Sequence, residues 1–218
     1  MYTSAEENYL KAILTIQLGT KNKVSTNSIA VELGTSPASV SDMLKKLLDK
    51  KLIKYQKYKG VSLSRKGKAK AVSVLRKHRL WETFLVEKLK FNWSEVHNIA
   101  EQLEHIRSEE LIDRLDSFLG YPAFDPHGEP IPDKNGEMPI TDTILLSSVP
   151  INLSVKVMGV NTDNRIFLEY LDRLKIRIGS IIKILSKIDF DESIQVLINK
   201  KKYQISNKTA SHILVKKI

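Results

Sequence analysis

Residues 25–48, STNSIAVELGTSPASVSDMLKKLL, decide the fold. Ser25-Thr26 supplies an N-cap, and Ile29, Ala30 and Leu33 follow with helical spacing. Gly34 sits where a helix ends in a left-handed turn. Thr35-Ser36-Pro37 then restarts a helix, with Pro37 accommodated in the first turn. Val40, Met43, Leu44, Leu47 and Leu48 form its inner face. Helix, short glycine turn and helix is the helix-turn-helix pattern.

Outward from this run, residues 4–18 read as a helix, with Ser4 as N-cap and Glu7 completing a capping box. Lys21-Asn22-Lys23 is a turn. Leu52–Tyr55 and Val61–Leu63 read as a β-hairpin wing around Tyr58-Lys59-Gly60. Helices are expected over 65–89, 94–105 and 108–119. From Tyr121 to Pro139 five prolines and two glycines mark an extended connector. Beyond it, short strands are expected at 152–160, 181–185, 193–198, 202–205 and 210–215, with one helix near 163–174, a small β-barrel-like domain. The division is 1–70, 71–140 and 141–218, and the fold class is mainly α with small β elements.

The 218-residue chain has a net charge of +10, unevenly distributed. Residues 1–77 carry 16 basic and 5 acidic side chains, 78–140 carry 6 and 13, and 141–218 carry 13 and 7. A basic head on an acidic middle suits contact with a polyanion followed by capture of cations. Cysteine is absent, which excludes disulfides and thiolate metal sites. No stretch reaches the roughly 18 apolar residues of a membrane span, and no secretory signal is present, so a cytoplasmic location is expected.

In a helix-turn-helix the second helix presents its N-terminal residues to the major groove. Those residues are Ser36, Pro37, Ala38, Ser39, Ser41 and Asp42, with Thr26 nearby. They approach closely but offer no arginine fork for guanine, so direct readout is weak. Lys45, Lys46, Lys50 and Lys51, Lys57 and Lys59 on the wing, and Arg65, Lys66 and Lys68 are candidates for phosphates.

Four of the five histidines fall between positions 78 and 127. His97, Glu101, Glu104 and His105 lie at i, i+4, i+7 and i+8, one face of a helix. His78 and Glu82 form another i, i+4 pair. Imidazole nitrogen with carboxylate oxygen suits Mn(II) or Fe(II) without thiolate. The residues therefore read as a metal sensor joined to a nucleic-acid-binding module. No HExxH pattern, phosphate loop or nucleophile–base arrangement points to an enzyme. A metalloenzyme using Glu101 or Glu104 as base, and a metal-independent winged-helix regulator, are the alternatives.

Several runs resemble one family. They are Glu7-Asn8-Tyr9-Leu10-Lys11, the stretch Ile29–Leu47, Arg76-Lys77-His78-Arg79-Leu80-Trp81-Glu82, Val96-His97 through Glu104-His105, and Pro126-His127-Gly128-Glu129-Pro130-Ile131-Pro132. Across essentially the whole chain the sequence resembles the diphtheria toxin repressor family of metal-dependent transcriptional regulators, particularly its manganese-responsive branch. The resemblance implies an N-terminal winged helix, a helical metal-binding and dimerisation domain and a C-terminal SH3-like domain. It implies one metal site from Asn8, His78, Glu101, Glu104 and His105, and another from Glu82, His97, Asp125, His127 and Asp163. Asn8 stands where the family often has aspartate or methionine; Glu101 and Asp125 stand where some relatives have cysteine. This nitrogen-and-oxygen shell favours Mn(II), with Fe(II) and other divalent ions able to substitute. The expected activity is repression of metal-uptake genes by a homodimer on a double-stranded DNA operator. Metal would fix two recognition helices about one DNA turn, roughly 34 Å, apart. Trp93, Leu103, Leu111, Ile112, Leu115, Phe118 and Leu119 are the expected interface.

Overall fold

The computed structural model describes residues 2–19, 24–56, 60–162 and 164–218. Two compact units emerge. One comprises Met1–His78, Leu103–Ser108 and Pro132–Glu137; the other comprises Arg79–Gln102, Glu109–Ile131 and Met138–Ile218. Lys57, Lys59 and Asp163 lie outside the described residues.

The first unit begins with α1 (Ser4–Gly19), whose buried face carries Leu10, Ile13 and Leu14 but also Glu6, Glu7 and Lys11. Its capping box is Thr3 with Glu6, not Ser4 with Glu7. Thr3 Oγ1 accepts from the Glu6 N–H and Glu6 accepts from the Thr3 N–H, each at 3.2 Å. The one-residue shift leaves Glu7 available for a buried cluster. α2 (Thr26–Glu32) is capped by Ser25, and α3 (Pro37–Asp49) by Ser36. Gly34 joins them at φ +59°, where a side chain would be strained. β1 (Ile53–Gln56) and β2 (Gly60–Leu63) form the antiparallel wing. Ile29, Val40, Leu44, Leu47, Leu52 and Val61 are buried. At about 25 cal/mol per Å² of apolar surface removed from water, such burial dominates the head's stability.

α4 (Arg65–Glu87) is the longest helix. In the second unit its Leu80 packs with Ile112 and Leu115 of α6 (Glu109–Phe118) and with Ile131. The helix expected over 94–105 is α5 (His97–Leu103), and Glu104 and His105 lie in the turn after it. The chain leaves the helix there as the Lys77 ammonium donates to the Ile106 carbonyl at 3.0 Å. The expected single ligand face is thereby divided: His97 and Glu101 belong to the second unit, Glu104 and His105 to the first. The expected interface stripe also divides. Ile112 and Leu115 are core, while Leu111 and Phe118 stay exposed at 41% and 64%.

The C-terminal part is a six-stranded antiparallel sheet in the order β3-β8-β4-β5-β6-β7. Its strands are β3 (Ile144–Leu145), β4 (Ser154–Val160), β5 (Ile181–Lys187), β6 (Ile194–Ile198), β7 (Lys201–Ile205) and β8 (Ile213–Lys217). Alternating residues such as Val155, Val157, Ile182, Ile184, Ile194 and Val196 form one core with Leu168 and Leu171 of α7 (Arg165–Arg173). The strand expected from Ala210 starts later, because 207–210 form a short helix capped by Ser206. Trp93 packs against this sheet core rather than lying in an interface stripe.

Candidate functional site

In the second unit, Glu82, Asp125 and His127 are 2%, 4% and 5% exposed. One donor atom from each lies within 4.8 Å of the other two. Glu82 comes from α4; Asp125 and His127 come from the connector, which is a built turn. Asp125 Oδ1 accepts from the backbone N–H groups of His127 and Glu129 at 2.8 and 2.9 Å. The proline-rich composition supplies the surrounding extended backbone. Gly128, at φ +82°, lets the turn lie against β4: a Cβ there would stand 2.0 Å from the Met158 carbonyl. β4 answers with a bulge between Val157 and Gly159, and the Val160 N–H donates to the His127 carbonyl at 2.8 Å.

His127 is held in one tautomer. Its Nε2 lies 2.8 Å from the Trp93 carbonyl, which can only accept, so Nε2 carries the hydrogen. The ring stacks on the Trp93 indole, with centroids 5.9 Å apart. Nδ1 faces Glu82 Oε2 at 3.4 Å. This arrangement, one ring nitrogen anchored on a carbonyl and the other directed at carboxylates, is that of a metal-ligating histidine. Asp125 Oδ2 is buried without a hydrogen-bond donor, and Arg79 Nε stands 3.7 Å away. Arg79 also holds Glu129 and the Pro130 carbonyl, bracing the turn.

Burial disfavours charge on His127, but the Glu82 and Asp125 carboxylates and the Trp93 carbonyl outweigh it and push its pKa to about 9. Burial, with Glu82 and Glu129 close by, pushes Asp125 well above the usual carboxylate range. Two carboxylates and an imidazole sharing one buried volume are a donor set that a divalent cation can stabilise in place of a proton. The donor set fits such an ion. Beside it, His97 Nδ1 lies 3.4 Å from Glu82 and Nε2 3.7 Å from Glu101. A cavity of about 460 Å³, lined in part by Phe91, Trp93, Phe124, Asp125 and Met158, reaches Asp125 from outside.

Asn8, His78, Glu104 and His105 belong to the first unit, where His78, Glu104 and His105 meet partners the sequence reading did not foresee. Lys11 Nζ lies 2.6 Å from Glu104 Oε2, and His78 Nδ1 is 2.6 Å from the same oxygen. Lys11 Nζ is also 3.4 Å from His78 Nδ1. His105 Nδ1 is 2.6 Å from Glu7 Oε2, whose other oxygen takes Lys70 at 2.9 Å. Glu6 pairs with Lys50 at 2.6 Å. Asn8 Oδ1 and Glu104 Oε1 are buried without a hydrogen-bond donor. Lys11 had a legible signal: at i+4 from Glu7 and i+3 from Asn8 it shares their helical face. Lys70 and Trp93 carried none, because tertiary packing alone brings them in.

The nucleic-acid face follows the sequence expectation in exposure. Ser36, Pro37, Ala38, Ser39, Ser41, Asp42, Lys45 and Lys46 are all exposed, and Thr26 is half-buried. Lys45 pairs with Asp42 at 3.2 Å on the open surface, where such a pair contributes little.

Comparison with known proteins joins these features. Residues 1–61 match the family model "Iron dependent repressor, N-terminal DNA binding domain". Residues 64–133 match "Iron dependent repressor, metal binding and dimerisation domain", and 144–217 match "FeoA domain". The iron-dependent repressor IdeR of Mycobacterium tuberculosis (strain ATCC 25618 / H37Rv) is 38% identical over 104 residues, 48% of this chain and 45% of that protein. The diphtheria toxin repressor of Corynebacterium jeikeium (strain K411) is 35% identical over 104 residues, 48% of this chain and 43% of that protein. The chain thus spans less than half the length of these curated relatives. A solved structure described as a manganese-dependent transcriptional repressor in complex with manganese superimposes with a TM-score of 0.89 at 32% identity, over 98% of this chain and all of that one. The winged helix, helical segment and C-terminal SH3-like sheet are shared along the whole chain, which belongs to the diphtheria toxin repressor family of iron-dependent repressors.

Proposed function

We propose that this protein is a metal-dependent, DNA-binding transcriptional repressor that acts as a homodimer in the cytoplasm. One observation carries the reading: Glu82, Asp125 and His127 converge in a buried, charge-strained cluster, with Asp125 Oδ2 lacking a donor. The effector is a divalent cation, Mn(II) first and Fe(II) second, because every donor is nitrogen or oxygen. Glu82, Asp125 and His127 hold it, His97 and Glu101 adjoin them, and Asp163 is a further candidate donor.

When bound, the ion supplies positive charge to the carboxylates and so removes the cost of their burial. The protein's own part is to keep the donors aimed. The Trp93 carbonyl fixes the His127 tautomer, the 127 and 129 amides orient Asp125, and Arg79 braces the turn. Stiffening this connector narrows the spacings that two reading heads sample, and operator binding requires roughly 34 Å between recognition helices. Coupling of this kind is ordinarily ~1–3 kcal/mol, about 5–150-fold in affinity. Exposed Leu111 and Phe118 offer apolar surface for the dimer. Regulated metal uptake is the natural output of a sensor of this kind.

The matched family models concern DNA binding, metal binding and dimerisation, which sets the metalloenzyme reading aside. The decisive experiment selects DNA duplexes from a random pool with Mn(II) present, then titrates the selected duplex with and without chelator. Binding that tightens at least fivefold with Mn(II) is expected. Equal affinity in both conditions ends the proposal and favours a metal-independent regulator.

A further inference from the structure

We propose that the outer face of the six-stranded sheet is a second DNA-binding surface, on which Lys156, Lys183, Lys202 and Lys216 take the phosphates of a duplex. The six strands carry seven lysines and no aspartate or glutamate. Val155, Val157, Ile182, Ile184, Val196 and Val215 point into the core. Alternation therefore sends the four lysines to the opposite face, where all are exposed. The register groups them. Lys156 of β4 stands directly opposite Lys216 of β8. Lys183 of β5 stands opposite Ser154 of β4 on one side and Leu197 of β6 on the other. Leu197 in turn stands opposite Lys202 of β7. The band thus crosses the sheet from β8 to β7, roughly 19 Å at about 4.8 Å per strand.

Like charges directly opposite each other lower the stability of a sheet. Among the described residues, no carboxylate pairs with any of the four lysines. The acidic groups of this part of the chain are engaged elsewhere. Glu169 pairs with Arg165 and Asp172 with Arg177. Asp191 accepts from the Ser193 N–H and Glu192 from Asn207, both in the turn between β5 and β6. The fold gains nothing from this unrelieved repulsion, whereas a polyanion would relieve it.

A duplex carries one negative charge per roughly 1.7 Å of its axis, and so offers phosphates to such a band without any base contact. Lysine is a point charge without the arginine fork, so the contact is indifferent to sequence. DNA is favoured over a lipid surface on two grounds. Residues 1–61 match a DNA-binding domain, and a duplex held there meets the sheet at raised local concentration. To that extent the inference rests on the proposed function. A lipid surface would instead call for an apolar anchor beside the charges. Phe190 is 97% exposed, but Asp189 and Asp191 flank it and would be repelled by anionic headgroups.

The test compares the full chain with Lys156→Gln/Lys183→Gln/Lys202→Gln/Lys216→Gln on a duplex that extends beyond the selected site. Anisotropy is read at several salt concentrations. The slope of log affinity against log salt should fall by about two or more, with affinity at least about tenfold weaker. Lys156→Glu, which sets a carboxylate opposite Lys216, should weaken binding while the urea midpoint holds or rises, so that lost binding is not lost fold. Because the chain has no cysteine, a photo-cross-linker on Lys156→Cys reports contact directly. It should label DNA, and one on Ile166→Cys, exposed on α7, should not. An unchanged salt slope, or no DNA label from position 156, overturns the inference. So does loss of binding to phosphatidylserine vesicles with duplex binding intact, which assigns the face to a membrane. If affinity is equal in Mn(II) and in chelator while the four substitutions still lower the salt slope, the metal-dependent reading fails and this one stands.

Discussion

Asp125 Oδ1 accepts from the His127 backbone N–H at 2.8 Å, so one oxygen of this carboxylate fixes the turn that delivers the histidine while the other is buried without a hydrogen-bond donor. The two candidate ligands are mechanically linked: what orients one orients the other.

Metal affinity should therefore rise with pH. Proton and metal compete for the same lone pairs. His127, with its pKa at about 9, carries a proton across the neutral range, well above the ordinary 6.5. The sign is fixed: in the metal-free protein the proton on His127 stabilises the fold at low pH, and that contribution fades as pH rises through about 9. The raised Asp125 adds to the competition near neutrality. Affinity should increase up to about tenfold per pH unit for each proton displaced between pH 6 and 8. Calorimetry in buffers of different ionisation enthalpy reads the released protons; a pH-independent affinity would contradict the assignment.

Gly128→Ala should be among the most damaging single-methyl changes. The added Cβ would fall 2.0 Å from the Met158 carbonyl and 2.4 Å from Gly159 Cα, at a backbone φ of +82°. Strain of this kind costs of the order of 1–3 kcal/mol, and the turn would give way before β4 did. Thermal unfolding should drop by several degrees and Mn(II) affinity at least tenfold. An unchanged affinity would mean that the turn does not position the ligands.

On the DNA face, Lys45→Ala should weaken binding about equally on all duplex sequences and lower the salt slope by about one. Ser36→Ala should instead cost about 1 kcal/mol of stability, because the Ser36 hydroxyl accepts from the Ser39 N–H at 3.1 Å to cap α3. Fluorescence anisotropy at several salt concentrations, together with urea unfolding, separates the two effects. Sequence-dependent losses for Lys45→Ala would move that residue from phosphate contact to base readout.

Acid should loosen the head. Burial opposes ionisation of Glu7, yet hydrogen bonds from Lys70 and His105 prevail and hold its pKa below the ordinary 4.5. Glu6 is lowered likewise, with Lys50 and the Thr3 amide overcoming burial. A depressed folded-state pKa stabilises above the unfolded value, and the contribution is lost as pH falls through the folded one. Urea midpoints should therefore fall from pH 6 to below pH 4. Glu7→Gln should lower the neutral midpoint, by roughly 1–3 kcal/mol as expected for a charge-assisted hydrogen bond, and flatten the acid limb. An acid limb identical in both proteins would remove Glu7 from that role.

The helix-turn-helix was legible because its information is local. Ser25, Gly34, Ser36 and Pro37 each act within one turn of chain, and the apolar spacing of Val40, Leu44 and Leu47 states which face is buried. The C-terminal strands were readable for the same reason, through alternation such as that of Val155 and Val157. The ligand types were also in the sequence, as imidazoles and carboxylates without cysteine. Their grouping was not. Helical periodicity placed His97, Glu101, Glu104 and His105 together, but α5 stops at Leu103 and the four divide between two units. Nor could spacing reveal that Lys11 meets Glu104, 93 residues away, or that the Trp93 carbonyl anchors His127. Local rules decide which elements form; only the packed chain decides which charges must share a buried volume, because there each charge has to find its partner or be neutralised.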